Sequence, residues 1–322
     1  MFKTRMTELL GIEYPIQCGT MHWLSRAQLV ASVANAGGFA CLPAASFPTK
    51  GELLDEIKKT QDLTDRPFGV NVSLFPALTP TAPEKLIDTV IEAGVKILET
   101  AGRNPEPYRE KILQGKLIHI HKCARVRDAA KASRLGVDAV SIVGTECGGH
   151  PSMEGVTTMV LIPKAAEEVS VPLIAGGGIC DGKSMVAALA LGADGVIMGT
   201  RFMATKECPV HERLKERLIN ASESDTTLVM MSLGNPARVL RNQWAEKILE
   251  MEDKGSSLGE LEPLISGQVT RRGWLHGTFE EGIYPCGQAV GRIHDIPSVP
   301  ELMKRIVQEA LETKDRLQRI LS

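Results

Sequence analysis

The chain has 322 residues, 43% of them hydrophobic, and 39 acidic against 37 basic side chains for a formal net charge of -2. That is ample for one large α/β barrel or two smaller domains, and a near-neutral balance without a run of like charge gives no electrostatic case for nucleic acid or an anionic membrane as partner. The N-terminus is charged and no apolar stretch approaches the ~18 residues of a membrane span, so a cytoplasmic protein acting on small molecules is expected.

Seven cysteines, at positions 18, 41, 123, 147, 180, 208 and 286, are odd in number and lack a CxxC spacing, which suits reduced thiols. Along the chain, short apolar runs rich in β-branched residues fall at Tyr14–Gly19, Gly38–Leu42, Phe68–Leu74, Val95–Thr100, Leu117–Lys122, Ala139–Val143, Val171–Ala175 and Gly195–Met198. Amphipathic stretches separate them, among them Ser25–Ala36, Pro83–Ala93, Val126–Leu135, Thr158–Glu168 and Gly182–Leu191. Eight strand-like runs alternating with helices predict a (β/α)8 TIM barrel. Glycines at Gly37, Gly94, Gly136 and Gly192 sit where each helix should stop, in support of the repeat. An open doubly wound sheet is the alternative, weakened by the missing GxGxxG after the first run. His119 and His121 flank Ile120, so a strand places both on one face, where paired polar packing outweighs a metal site.

Beyond about Pro209 the pattern becomes helical, at Glu212–Ser222 and Asn242–Glu252, with a small-residue helix at Cys286–Gly291 and a docking helix from Val299 to Leu321. We therefore expect a barrel over residues 1–222, a helical extension over the active-site mouth at 223–284, and C-terminal helices at 285–322 packing back on the barrel.

The most informative stretch is Thr145-Glu146-Cys147-Gly148-Gly149-His150, directly after a run that reads as a buried strand. Glycines there let backbone approach a flat ligand, and a histidine beside them can exchange protons near neutral pH. Two more glycine clusters, Gly176-Gly177-Gly178 and Gly199-Thr200, fall at the expected carboxyl ends of strands seven and eight, the usual phosphate site of this fold. The first-strand loop, Gly19-Thr20-Met21-His22-Trp23, offers close backbone and a soft apolar surface that suits an isoalloxazine ring better than a sugar phosphate. Asn71, Ser73 and Lys122 point to the same mouth, and a lysine there can stabilise the negative charge of a reduced flavin. A non-redox phosphate-binding lyase or isomerase is the rival, with Lys122 and Glu146 as its lysine–carboxylate pair.

These motifs, together with Asn35-Ala36-Gly37-Gly38, Asp65-Arg66-Pro67-Phe68-Gly69-Val70-Asn71, His121-Lys122-Cys123 and Met198-Gly199-Thr200-Arg201-Phe202, resemble in order those of the nitronate monooxygenase family, formerly the 2-nitropropane dioxygenases. That family includes NADH:quinone reductases and is related to flavin-dependent enoyl-ACP reductases. The resemblance runs from the N-terminus to about residue 245. It implies an FMN-dependent oxidoreductase, with FMN held by Thr20, Met21, His22, Asn71, Ser73, Lys122, Gly148, Gly176, Gly177, Gly178, Gly199 and Thr200, and with His150 as the catalytic residue facing the flavin. Gly19 and Gly149 join the cofactor-binding set, and Lys122 the catalytic one. Nitronate oxidation by O2 to a carbonyl compound and nitrite is the first expectation, and NAD(P)H-dependent reduction of a quinone or enoyl thioester the second. A homodimer is compatible with both. The loop Pro151–Thr158 departs from the acidic, glycine-containing loop of the quinone reductase branch.

Overall fold

The computed structural model describes residues 2–75 and 81–322. Eight parallel strands form one sheet: β1 (Ile16–Cys18), β2 (Cys41–Pro43), β3 (Gly69–Ser73), β4 (Ile97–Ala101), β5 (Ile118–Cys123), β6 (Ala139–Val143), β7 (Leu173–Gly176) and β8 (Gly195–Met198). Each pairs with the next in sequence except β1, which pairs with β8. A bridge between Gln17 and Phe39 closes the circle, with the Cys18 N–H donating to the Phe39 carbonyl at 2.8 Å. The architecture is the expected (β/α)8 TIM barrel.

Around it run α1 (Arg5–Leu10), α2 (Ala27–Asn35), α3 (Lys50–Leu63), α4 (Pro83–Glu92), α5 (Arg109–Gln114), α6 (Val126–Leu135), α7 (Thr158–Glu168), α8 (Gly182–Ala190), α9 (Thr200–Met203) and α10 (Glu212–Ile219). Local chemistry starts and stops them. Thr49 with Glu52 and Asp181 with Ser184 form reciprocal caps on α3 and α8, and Gly136 ends α6 in the left-handed region at φ 82°.

The side-chain alternation of the strands builds the interior. Phe39, Cys41, Ile97, Ile120, Ala139, Ile174 and Ile197 form an apolar cluster that α1 caps with Met6 and Leu10. Met6 fills the space beside Gly195, where a Cβ would lie 2.0 Å from its sulfur. Towards the carboxyl ends the register sets Asn71 beside Glu99, and Ala101 beside Lys122 beside Ser141. The barrel interior thus turns from apolar to polar at the mouth. His119 and His121 both bond the Thr100 hydroxyl, at 2.7 and 2.8 Å. One hydroxyl donates to one ring and accepts from the other, which is the paired polar packing expected.

The region after α10 corrects the sequence expectation of helices alone. It contains an antiparallel hairpin, β9 (Thr226–Val229) with β10 (Ala237–Leu240), before α11 (Gln243–Asp253), α12 (Leu258–Ile265) and α13 (Gly267–His276). Each strand has four residues, too few for alternation to stand out. Cys286 and Gly287 likewise lie outside any helix, Gly287 in extended backbone, and helical turns of the 3-10 type begin only at Gln288. The last helix, α14 (Val299–Leu321), buries Val299, Leu302, Met303, Ile306 and Ala310. It lies against α8 so closely that a Cβ on Gly182 would come 2.4 Å from the Ala310 nitrogen and the Ile306 carbonyl oxygen. No described helix is long and apolar enough to cross a membrane, and all seven cysteines are free.

Candidate active site at the barrel mouth

At the centre of the polar layer is a residue that motif reading passed over. Glu99, on β4, is fully buried and accepts hydrogen bonds from the Gln17 amide at 2.7 Å, the Thr20 hydroxyl at 2.8 Å and the Asn71 amide at 2.7 Å. The Lys122 ammonium stands 3.9 Å from the same carboxylate. Thr20, Asn71 and Lys122, all expected at the mouth, are therefore joined through Glu99. A lone carboxylate within an apolar β4 carries no motif, so only three-dimensional proximity reveals it. Two polar atoms in this layer, Gln17 Oε1 and Ser141 Oγ, are buried without a partner among the described residues.

Glu146 does not join Lys122. Its carboxylate accepts from the Thr158 N–H at 3.0 Å and from the Thr158 hydroxyl at 2.9 Å, so it caps α7, where negative charge suits the helix N-terminus. The lysine–carboxylate pair of the mouth is Lys122 with Glu99, and the pairing that a lyase reading drew between Lys122 and Glu146 is absent.

The other first-loop residues have separate partners. The Met21 N–H donates to Ser25 Oγ at 2.9 Å, and His22 Nε2 lies 3.0 Å from the Ala45 carbonyl. The His22 ring stacks on Trp23 at 4.4 Å, and the Arg271 guanidinium of α13 covers Trp23 at 4.3 Å. Ser73, at the end of β3, receives a 3.4 Å hydrogen bond from the Phe75 N–H.

The hairpin holds the β6 loop. Gly149 and Arg238 exchange backbone hydrogen bonds at 3.0 and 2.7 Å, and Arg238 Nε donates to the Thr145 carbonyl at 2.9 Å. His150 follows, with Nδ1 3.0 Å from the Pro236 carbonyl. A carbonyl can only accept, so Nδ1 carries the hydrogen and Nε2 of the neutral ring carries the lone pair. The residue is exposed overall, yet protein crowds its ring on most sides. That desolvation pulls its pKa below the usual 6.5 and outweighs the opposing hydrogen bonds with Pro236 and Asn235, while Lys122 pushes the same way as the crowding. Nearby thiols offer no nucleophile, since burial pushes Cys147 and Cys286 up to about 12.

Gly148 has a packing role: a Cβ there would lie 2.8 Å from the backbone of Cys286 and Gly287. The same C-terminal segment donates the Gly287 N–H to Thr200 Oγ1 at 2.9 Å and the Gln288 N–H to the Glu146 carbonyl at 2.9 Å. At the ends of β7 and β8, Gly177 and Gly178 take φ of 93° and 71°, and a Cβ on Gly199 would meet nothing within 4 Å. Gly176 is close-packed instead, 2.6 Å from Ile197 by the same measure, and Gly19 faces the Gly199 backbone at 3.2 Å. The backbone beside Gly199 is thus an open cradle and its neighbours are filled.

Comparison with known proteins agrees with this layout. The family model described as nitronate monooxygenase matches residues 3–309. The (3aS,4S,5R,7aS)-5-hydroxy-7a-methyl-1-oxo-octahydro-1H-indene-4-carboxyl-CoA dehydrogenase of Rhodococcus jostii is 32% identical, covering 98% of this chain and 98% of its own. A probable nitronate monooxygenase of Staphylococcus saprophyticus is 31% identical over 78% of this chain and 82% of its own. The solved structure of FabK from Thermotoga maritima is 37% identical, with TM-score 0.93 over 99% of this chain and all of that one. With a barrel of this form, a histidine at the end of the β6 loop and a family match over nearly its whole length, the chain is an oxidoreductase that belongs to the nitronate monooxygenase family.

Proposed function

We infer that the protein is an FMN-dependent oxidoreductase acting on a CoA or carrier-protein thioester at the carbon next to its carbonyl. The observation that carries this reading is the placing of His150, whose Nδ1 is held 3.0 Å from the Pro236 carbonyl and whose other ring nitrogen is then the one to take or return a proton. A thioester's α-carbon needs such a proton exchange, whereas a nitronate arrives already deprotonated. The CoA thioester in the name of the Rhodococcus relative, matched from end to end, supports the same substrate class.

The residues fit a flavin mononucleotide. The open cradle at Gly199, the left-handed backbone at Gly177 and Gly178, and the Thr200 hydroxyl would hold its phosphate. Thr20, Met21, His22, Asn71, Ser73 and Lys122, with the backbone of Gly19, Gly148, Gly149 and Gly176, would line the ring. When bound, FMN supplies a two-electron donor and acceptor that also exchanges single electrons with quinones and O2. Lys122 places positive charge against that ring, and His150 handles the proton at the substrate carbon, taking it in oxidation and returning it in reduction.

Nitronate oxidation by O2 is the second reading, favoured by the family match over residues 3–309. The deciding experiment starts with purified protein, which should be yellow and release FMN on denaturation. Under anaerobic conditions NADH or NADPH should bleach it, and an enoyl-CoA should restore the colour. Bleaching by an alkyl nitronate with recovery on admitting O2, and no response to the thioester, would replace the first reading by the second. Colourless protein that takes up no added FMN would end both.

A further inference from the structure

We propose that Glu99 is a positioning residue that sets both the polarity and the charge of the surface presented to the flavin ring. The observation behind it is the convergence on one fully buried carboxylate of three hydrogen-bond donors and an ammonium, two of the donors and the ammonium belonging to residues assigned to the cofactor. The inference rests on the FMN reading given above.

A carboxylate only accepts, so each partner must turn a hydrogen towards it. Asn71 spends an N–H on Glu99 at 2.7 Å, which leaves its carbonyl oxygen as the outward pole. Thr20 spends its only hydrogen at 2.8 Å, so its oxygen faces outward as an acceptor. Lys122 has three hydrogens and keeps them as donors with its ammonium 3.9 Å from the carboxylate. The mouth therefore presents two fixed acceptors beside a cationic donor. The pyrimidine edge of a flavin carries carbonyl oxygens either side of an N–H, a pattern that needs both kinds of partner. Without Glu99, the Asn71 amide and the Thr20 hydroxyl are free to rotate and present donors instead.

The second consequence is electrostatic. Glu99 is fully buried and the Lys122 side chain is 25% exposed, so solvent screens the pair weakly. Lys122 alone would strongly favour the anionic reduced ring, and the adjacent negative charge tempers that preference. Glu99 thus holds the reduction potential lower than a mouth containing Lys122 alone.

The test compares binding of oxidised and reduced FMN to the apoprotein, anaerobically, by flavin fluorescence and absorbance, for wild type, Glu99→Gln, Glu99→Asp, Lys122→Met and the double variant. In Glu99→Gln the Kd for oxidised FMN should weaken at least tenfold. The ratio of oxidised to reduced Kd should rise about tenfold, an upward potential shift of about 30 mV for a two-electron couple. Glu99→Asp keeps the charge and shortens the reach, so it should weaken binding while leaving the ratio within threefold of wild type. Should Glu99→Gln fail to fold because Lys122 is left unpaired, the double variant compared with Lys122→Met reads the same effect, and the ratio should again rise about tenfold. A ratio unchanged within twofold in either comparison overturns the proposal and leaves Glu99 as structural packing. Failure of the wild-type apoprotein to bind FMN at all would instead remove the cofactor reading.

Discussion

Replacing Gly199 by alanine separates the demands of the fold from those of a phosphate. Gly199 has φ -93° and ψ -69°, a conformation open to any L-residue, and an added Cβ meets nothing within 4 Å. The empty protein should therefore lose nothing, and the stiffer unfolded chain should add about 0.4–1 kcal/mol of stability, a rise of roughly 0.6–1.5 °C in Tm. If the empty space belongs to a phosphate, the methyl group displaces it from a backbone donor. A hydrogen bond to a charged group is worth about 1.5–3 kcal/mol, so the FMN Kd should weaken about 10–100-fold. Fluorescence titration of the apoprotein and thermal melts with and without FMN read the two effects separately. Gly182→Ala is the contrasting control, because its Cβ would strike the α14 backbone at 2.4 Å, so it should lower Tm while leaving the FMN Kd of the folded protein unchanged. An FMN Kd within twofold of wild type in Gly199→Ala would refute the assignment of the cradle.

His150→Ala should keep its fold and FMN yet lose roughly 10²–10⁴-fold in turnover, and near-normal turnover on the true substrate would demote it to a loop residue. Since its pKa is pulled below 6.5, wild-type activity in the proton-accepting direction should be flat around neutral pH and fall only on a limb below 6.5, which a pH–rate profile checks. Burial holds His119 at about 3 and His121 at about 4, so the unfolded chain binds protons that the folded one refuses once the pH drops below 6.5. Stability is then full above 6.5 and declines through the acid range towards those values; urea midpoints that stay constant on acidification would contradict this. Exchanging residues 152–158 for an acidic loop should re-rank NADH, NADPH, nitronates, quinones and thioesters while leaving the flavin spectrum intact, and a changed spectrum with unchanged ranking would show the loop serves the cofactor instead.

The barrel was legible because eight short apolar runs and the glycines closing their helices repeat, and repetition survives errors in any single element. Strand ends are less so: the run Tyr14–Gly19 holds β1 only over Ile16–Cys18, since its character continues past the ladder at both ends. The hairpin of β9 and β10 is hard to read because each strand has only four residues and part of its pairing is non-local, to the Gly149 loop and to Pro285. At the mouth, His150 and the glycine loops announced themselves by composition next to strand ends. Glu99 did not, for its importance lies in neighbours 82, 79 and 28 residues away along the chain. The misassigned partner of Lys122 has the same origin: Glu146 is nearer the motif in sequence, but the register of β4 against β5 is what delivers a carboxylate to the lysine.

The way residues 286–288 close over Gly148, Glu146 and Thr200 has a consequence for how the protein is made. The eight barrel strands are all translated before these residues, and α14, which follows them, must dock on α8 and α2. A chain still short of residues 286–288 has every barrel strand but lacks the segment that braces the loops at its mouth. If FMN is the cofactor, its loading is therefore expected after chain release, and a product truncated before Cys286 should accumulate as a pale protein even when FMN is added.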